Sequence, residues 1–256
     1  MINIAELDVK CISRPSFDTD MFMTFLKEHS FNWKRSQCEP ADELVEASGR
    51  VCYMSFGDGR QSDKTNKEYV KHLIDQGHES VLEHINWTFI VSGVSRAFTH
   101  QLVRHRVGFA YSQLSQQYHD ESEACFVVPP SIRCCPKTFS KWQESIENNL
   151  TLYKKLIYEV NNDELLCHSS KKERLRDLRS ASRSVLPNAT ETKIVITANA
   201  RALRHFFTMR GALEGDWEMR EVSCELFQIV SKEAPAAFQD FIIKEMPNNS
   251  RKLVKL

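Results

Sequence analysis

Glycine is scarce, paired cysteines are missing, neither sign of charge is in excess and no long apolar run occurs. Each shortage closes off a class of function. There are 8 glycines in 256 residues, and neither GxGxxG nor a Walker loop is present, which argues against a dinucleotide held by a Rossmann turn. Any phosphates must then be gripped by side chains. Lys plus Arg equals Asp plus Glu at 34 each, so the basic surplus of a nucleic-acid binder is missing. No nucleic-acid partner is expected, and anion binding has to be local, built from a few placed arginines. No apolar run approaches the roughly 20 residues needed to span a bilayer. No membrane association is expected, and the location is expected to be cytoplasmic. The eight cysteines, Cys11, Cys38, Cys52, Cys125, Cys134, Cys135, Cys167 and Cys224, are scattered without a CxxC pair. In a chain of this length with no signal peptide they are expected to be reduced thiols. Internal repeats and low-complexity blocks are absent.

What is present suits a soluble globular protein: 41% apolar and 27% charged residues in a chain long enough to bury a sizeable core. One domain over 1–256 is expected, with 1–45 and 245–256 as peripheral extensions. Lys64 to Gln76 has helical periodicity and stops at Gly77. Ile85, Trp87, Phe89 and Val91 alternate with other residues in a period-two strand ending at Ser92-Gly93. Ser95 is a plausible N-cap for a helix carrying Val94, Phe98 and Leu102 as a stripe, with Gln101 and Arg104 on its flank. Pro129-Pro130 and Cys134-Cys135-Pro136 mark an irregular connection before an amphipathic helix over Phe139 to Val160. A charged helix runs from Glu173 to Arg183. Thr192 to Ala198 reads as a strand, and Asn199 caps the next helix, with Leu203, Phe206, Phe207 and Met209 as its buried side and Arg201, His205 and Arg210 along another. Trp217 to Val230 is again helical, with Trp217, Val222, Leu226 and Ile229 inward. The fold class expected is α+β, a few strands covered by long helices.

The most informative segment is RHRVGFAYSQLSQQY, in which Arg104-His105-Arg106 is followed nine residues on by Ser115. A basic triplet trailed by Ser, Gln and Tyr suits phosphates and a heterocycle better than a solvated charge cluster does. Arginine is fitted to that role because its planar fork binds phosphate in a bidentate way and stays charged. Arg104, Arg106, Arg183, Arg201 and Arg210 all sit at element ends or on helix flanks, where the bland alternative is an ordinary solvated arginine. His78, Glu79, Glu83 and His84 suggest a metal cluster, but the spacing is not HExxH and no third ligand set accompanies it, so no metal is expected. Ser115 and His105 could form part of a triad, yet there is no GxSxG elbow and no orienting acid.

Three separated stretches, HESVLEHINWTFIVSGVSRAFTHQLVRHR, YSQLSQQY and NARALRHFFTMRGALEGDWEMRE, resemble the flavin-dependent thymidylate synthases in order and content. The family pattern of RHR, seven or eight residues, Ser, then Arg or Gln is met by Arg104 to Arg106, eight intervening residues, Ser115 and Gln116. The similarity runs over roughly Cys52 to Phe241. It implies the thymidylate synthase-complementing protein fold, a small, mostly antiparallel sheet covered by long helices. It implies an FAD enzyme that makes thymidylate from deoxyuridylate, with the methylene drawn from 5,10-methylenetetrahydrofolate and reducing equivalents from NADPH. It also implies a homotetramer with active sites shared between subunits.

Carried over residue by residue, the resemblance implies flavin contacts from Ser80, Glu83, Arg104, His105, Arg106, Gln113, Asn199, Arg201 and His205, with His78 near the flavin ring as a catalytic residue. It implies that the uridine nucleotide is met by Gln101, Arg104, Gln113, Leu114, Ser115, Gln116, Gln117 and Arg183. Arg210 matches the arginine that activates the uracil ring and is the first choice for catalysis. Carbon 5 of the ring becomes nucleophilic when negative charge developing on the ring is met by a guanidinium, and no protein nucleophile is then required. Ser115 accordingly reads as a phosphate ligand.

Two departures stand out. Many members of the family carry Arg two residues after the motif serine where this chain has Gln117, which removes one positive charge from the phosphate pocket, and the spacer is the longer version. His205 stands where the family often has Asn. A relative methylating another uridine nucleotide such as UMP is the alternative within the family. Outside it stand a non-catalytic nucleotide- or RNA-binding protein, which would bind with a steep salt dependence, and a metal-dependent hydrolase built on His78 and His84.

Overall fold

The computed structural model describes residues 2–161, 170–247 and 250–256; Cys167 lies outside them. The elements run β1 (Asn3–Ile4), β2 (Asp8–Ser13), α1 (Thr19–Glu28), α2 (Pro40–Tyr53), α3 (Asn66–Asp75), a 3-10 helix (Glu79–His84), β3 (Asn86–Ser95), α4 (Arg96–Leu102) and β4 (Phe109–Gln113). They continue through β5 (Cys125–Phe126), α5 (Pro130–Arg133), α6 (Pro136–Asn161), α7 (Lys171–Ser182), β6 (Glu191–Asn199), α8 (Ala200–Arg210), α9 (Trp217–Glu233), β7 (Phe241–Glu245) and β8 (Arg251–Lys255). Helix and strand are both plentiful, as an α+β chain requires. Two compact units make up the chain: a first of Met1–Asp8, Ile90–Arg104 and Tyr111–Val195, and a second of Val9–Phe89, His105–Ala110 and Ile196–Leu256. The four-stranded sheet has the order β2-β3-β6-β4. β7 and β8 pair antiparallel, in keeping with a mostly antiparallel arrangement, while the two-residue pair of β1 and β5 is parallel.

In the second unit, α3 starts on a capping box in which Thr65 and Glu68 each satisfy the other's backbone N–H, and the chain leaves it through Gly77 at φ +71°. α2 carries a buried polar row. Arg50 Nε donates to Glu46 Oε1 at 2.7 Å, and Asn66 Nδ2 donates to Glu46 Oε2 at 2.8 Å. One turn earlier, Asp42 accepts from the backbone N–H groups of Ala236 and Ala237 at 2.7 and 3.0 Å, tying α2 to the segment after α9. Leu26, Trp33, Ala47 and Phe56 form an aromatic-rich core joined by Phe17, Phe22, Phe25 and Phe31. On α9 the fully buried positions include Met219, Val222, Leu226 and Val230, while Trp217 and Ile229 are only half-buried. β8 is tied in by Leu253, whose N–H donates to Gly211 O at 2.8 Å.

In the first unit, Ser95 caps α4 by accepting from Phe98 N at 3.0 Å, and Val94, Phe98 and Leu102 are all buried. β3 does not stop at Gly93 but continues to Ser95. Gly93 has φ +69°, its N–H donates to Glu191 Oε1 at 3.0 Å, and a Cβ there would lie 1.9 Å from Glu6 O. The glycine is thus a bend within the strand at a close backbone approach rather than its end. The expected irregular connection after Pro129 contains the one-turn helix α5, and the helix expected from Phe139 already begins at Pro136, a residue suited to a first helical turn. Ile2, Ala124, Phe126 and Ile146 make the core beneath α6.

The cysteines Cys11, Cys38, Cys52, Cys125, Cys134, Cys135 and Cys224 are free thiols. Burial pushes Cys38 and Cys224 up to about 12, which makes both poor nucleophiles. No helix among the described residues is long and apolar enough to cross a membrane.

Candidate active site

Helix α8 organises the second unit's candidate residues. Asn199 caps it, accepting from Ala202 N at 2.8 Å, and Leu203, Phe206 and Phe207 form its buried stripe. Two expectations for this helix need correcting. Met209 is 54% exposed instead of buried. Arg210 does not share a face with Arg201 and His205: at about 100° per residue it falls roughly 140° from His205, between Leu203 and Phe206 in angle. Arg201 and His205 are exposed, Arg210 half-buried.

That placement brings Arg210 to the basic triplet. Arg210 Nε donates to His105 Nε2 at 3.0 Å. The His105 ring stands edge-on to Phe206 at 5.2 Å, with Phe109 at 6.2 Å and His205 at 6.0 Å between centroids. Burial, the Arg210 guanidinium and His205 together hold the His105 imidazole below its ordinary value, so near neutrality its Nε2 is a lone-pair acceptor.

Beside this cluster lies an open pocket of about 550 Å³ lined by Glu79, Glu83, Val107, Gly108, Asn199, Arg201, Ala202, Arg204, His205, Thr208 and Lys255. Gly108 shapes its floor. At φ +73° and with Asn199 Nδ2 only 2.8 Å from where a Cβ would sit, the position admits no side chain, and Asn199 N–H donates to Gly108 O at 3.2 Å. Arg201 is held by Glu83 at 2.5 Å and lies 3.7 Å from Glu79. Arg204, by contrast, is a structural cation, buried and joined to both Asp240 oxygens at 2.6 and 2.7 Å. Ser80 is exposed on the 3-10 helix, and the exposed His78 bonds through Nδ1 to Tyr53 OH at 2.9 Å. Among the described residues no three His, Cys, Asp or Glu side chains are grouped to hold a metal.

The first unit holds Gln101, Arg104, Gln113, Leu114, Ser115, Gln116, Gln117 and Arg183. Gln113 Nε2 donates to Thr99 Oγ1 at 3.0 Å and Thr192 Oγ1 at 3.3 Å, and Leu114 N–H donates to Lys193 O at 2.9 Å, so β4 presents this segment in a set register. Ser115 Oγ accepts from Gln117 N at 3.3 Å, a local turn contact with no base in it. Gln116 is buried, while Arg104 and Arg183 are exposed. Burial and the nearby Arg183 depress Arg96 below the ordinary arginine value. A second pocket, about 420 Å³, is lined by Gln117, Tyr118, Lys171, Lys172, Leu175, Arg176 and Arg179. In it Arg176 stacks on Tyr118 at 4.7 Å, and Arg179 Nη1 donates to Tyr118 O at 2.6 Å.

Membership of the units sorts the residues by expected role. Of those matched to flavin, all but Arg104 and Gln113 belong to the second unit; of those matched to the nucleotide, all but Arg210 belong to the first. The sequence reading missed Tyr53, Gly108 and the α7 cations as participants. A lone glycine directly behind the triplet and five cations, Lys171, Lys172, Arg174, Arg176 and Arg179, on one short helix were the signals on offer.

Comparison with known proteins agrees with the resemblance. The model of the thymidylate synthase complementing protein family matches residues 36–236. The flavin-dependent thymidylate synthase of Mycobacterium avium (strain 104) is 38% identical over 250 residues, 98% of this chain and 96% of that protein. Those of Mycolicibacterium gilvum (strain PYR-GCK) and Mycobacterium leprae (strain Br4923) are each 36% identical, again over 98% of this chain and 96% of theirs. The chain belongs to the thymidylate synthase complementing protein family, the family of the flavin-dependent thymidylate synthases.

Proposed function

We infer that this protein binds FAD and forms thymidylate from deoxyuridylate, with 5,10-methylenetetrahydrofolate as the carbon donor and NADPH as the reductant, in the cytoplasm and as a homotetramer with shared active sites. We read its architecture as the thymidylate synthase-complementing protein fold. The observation that carries the reading is the 3.0 Å contact between Arg210 and His105, next to a pocket that carries Asn199, Arg201 and His205 on its wall.

The pocket fits a flavin cofactor in chemistry and size. Its volume of about 550 Å³ lies in the range of roughly 300–1,000 Å³ usual for cofactor clefts. Gly108 packs its backbone directly against Asn199 and Ala202 at the pocket wall, and Asn199, Arg201 and His205 supply donors where the glycine-rich turn is missing. Asn199, Arg201 and His205, with Ser80, Glu83, Arg104, Arg106 and Gln113, are the residues assigned to hold it, and His78 stands near its ring. When bound, the flavin supplies the reducing equivalents for the methyl group.

The chain's own residues do the rest. Gln101, Arg104, Gln113, Leu114, Ser115, Gln116, Gln117 and Arg183 hold the uridine nucleotide and orient its ring. Arg210 meets the negative charge that develops on the uracil as C5 becomes nucleophilic, a contact stronger in the transition state than in the ground state. Ser115 serves as a phosphate ligand.

The test is the visible spectrum of the purified protein followed by tritium release from C5 of labelled deoxyuridylate, with uridylate in parallel. A yellow protein, or one that takes up FAD, should release tritium from deoxyuridylate, and Arg210→Ala should abolish release with the fold intact. A colourless protein that cannot be reconstituted would sink the reading. Release from uridylate alone would move the substrate to the ribonucleotide.

A further inference from the structure

We propose that His105, the middle residue of the basic triplet, is a positioning residue for Arg210, holding the guanidinium in one plane through a hydrogen bond that requires the neutral imidazole. The proposal rests on the role inferred above for Arg210 and departs from the flavin contact that the triplet resemblance implies for His105.

The geometry is specific. Arg210 Nε donates to His105 Nε2 at 3.0 Å, so Nε2 must carry the lone pair and the ring proton must sit on Nδ1. A guanidinium is planar, and fixing its Nε–H direction fixes the plane in which its other four N–H bonds lie. His105 is itself gripped: Phe206 meets its ring edge-on at 5.2 Å and Phe109 lies at 6.2 Å. The arginine is therefore aimed by a ring that has little freedom to turn. A long, flexible side chain at a helix end would otherwise lose much of its electrostatic effect to reorganisation.

Protonation would reverse the contact. An imidazolium has two donors and no acceptor, so it would lose the bond to Arg210 and repel it. The charged and titratable groups acting on His105 include Arg210 and His205, both on α8, and with burial they favour the neutral form. Its chain neighbours Arg104 and Arg106 carry the same sign. The neutral form thus persists through pH 7 and is lost as pH falls below the ordinary histidine value of about 6.5.

The test compares FAD-loaded His105→Phe and His105→Gln with the parent. Phe keeps the ring packing and removes the acceptor; Gln offers an amide oxygen near the Nε2 position and cannot gain a proton. His105→Phe should lower kcat for tritium release about 100-fold, the cost of an aim off by roughly an ångström, with the nucleotide KM and the flavin absorbance little changed. His105→Gln should recover most of kcat and lose the acid limb of the pH profile. In an Arg210→Lys background His105→Phe should cost nothing further, because it acts through Arg210. Loss of bound flavin in His105→Phe, an unchanged acid limb in His105→Gln, or multiplicative losses in the double variant would each overturn the proposal. Full activity of Arg210→Lys alone would instead remove the underlying role of Arg210.

Discussion

Arg201 and Glu83 face each other across the mouth of the second unit's pocket at 2.5 Å, with Glu79 3.7 Å from the same guanidinium. The arginine best placed to meet an anionic ligand there is already paired with carboxylates. Both side chains of the closer pair are about half exposed, 50% and 45%, so the pair is worth only about 0–1 kcal/mol to the fold. Glu83→Gln should leave the melting temperature almost unchanged. It should weaken FAD binding severalfold, measured by quenching of flavin fluorescence, because Glu83 is among the residues assigned to hold the cofactor. Tighter binding would show that the carboxylate only neutralises Arg201.

Gly108 makes a different demand, since its φ of +73° and the 2.8 Å approach of Asn199 Nδ2 exclude a Cβ. Gly108→Ala should destabilise the protein by about 1–3 kcal/mol through backbone strain and disturb the Asn199 cap of α8. Denaturant melts and FAD titration of the same preparation would report both effects. A variant as stable as the parent would mean that the loop moves freely.

Buried Asp42 gives the fold a pH dependence of known sign. Burial raises its carboxyl to about 6 from 3.8, despite the Ala236 and Ala237 N–H groups that favour the charged form. The folded state then holds a proton that the unfolded state releases, so this residue's contribution is fully present below about pH 4 and is lost as pH rises through about 6. Subtracting the Tm profile of Asp42→Asn from that of the parent between pH 4 and 7 should leave a difference falling with pH. Asp42→Ala should cost about 2–4 kcal/mol at the acid end of this range and less as pH rises, because two buried N–H groups lose their acceptor.

Gln117, where the resemblance implies arginine, lines a pocket that already holds Lys171, Lys172, Arg176 and Arg179. Arg179→Gln should raise the deoxyuridylate KM about tenfold, the loss of one charge-assisted bond of about 1.5 kcal/mol. Gln117→Arg should change it little, since the new cation joins four others. Steady-state kinetics with both variants checks the ranking, and the reverse order would put the phosphate on the Gln117 side.

Local patterns carried much of the fold. The period-two run from Ile85 to Val91, the Ser95 and Asn199 caps and the α3 stop at Gly77 were all readable, because side-chain periodicity and capping are set by near neighbours. Where long-range contacts decide, the reading failed. Gly93 looks like a strand end until Glu6 is seen against its backbone, and Met209 looks buried until the helix phase excludes it. Arg204 and Arg210 lie six residues apart on α8, yet one is bound to Asp240 and the other meets His105.

The sequence by itself determined the family, through three ordered motifs, and the type of chemistry, through arginines where glycine-rich loops are missing. Tertiary structure alone decided which arginine does what. Charge type is a property of one residue, but the partner that neutralises, buries or aims a guanidinium comes from a distant segment: Asp240 for Arg204, Glu83 for Arg201 and His105 for Arg210.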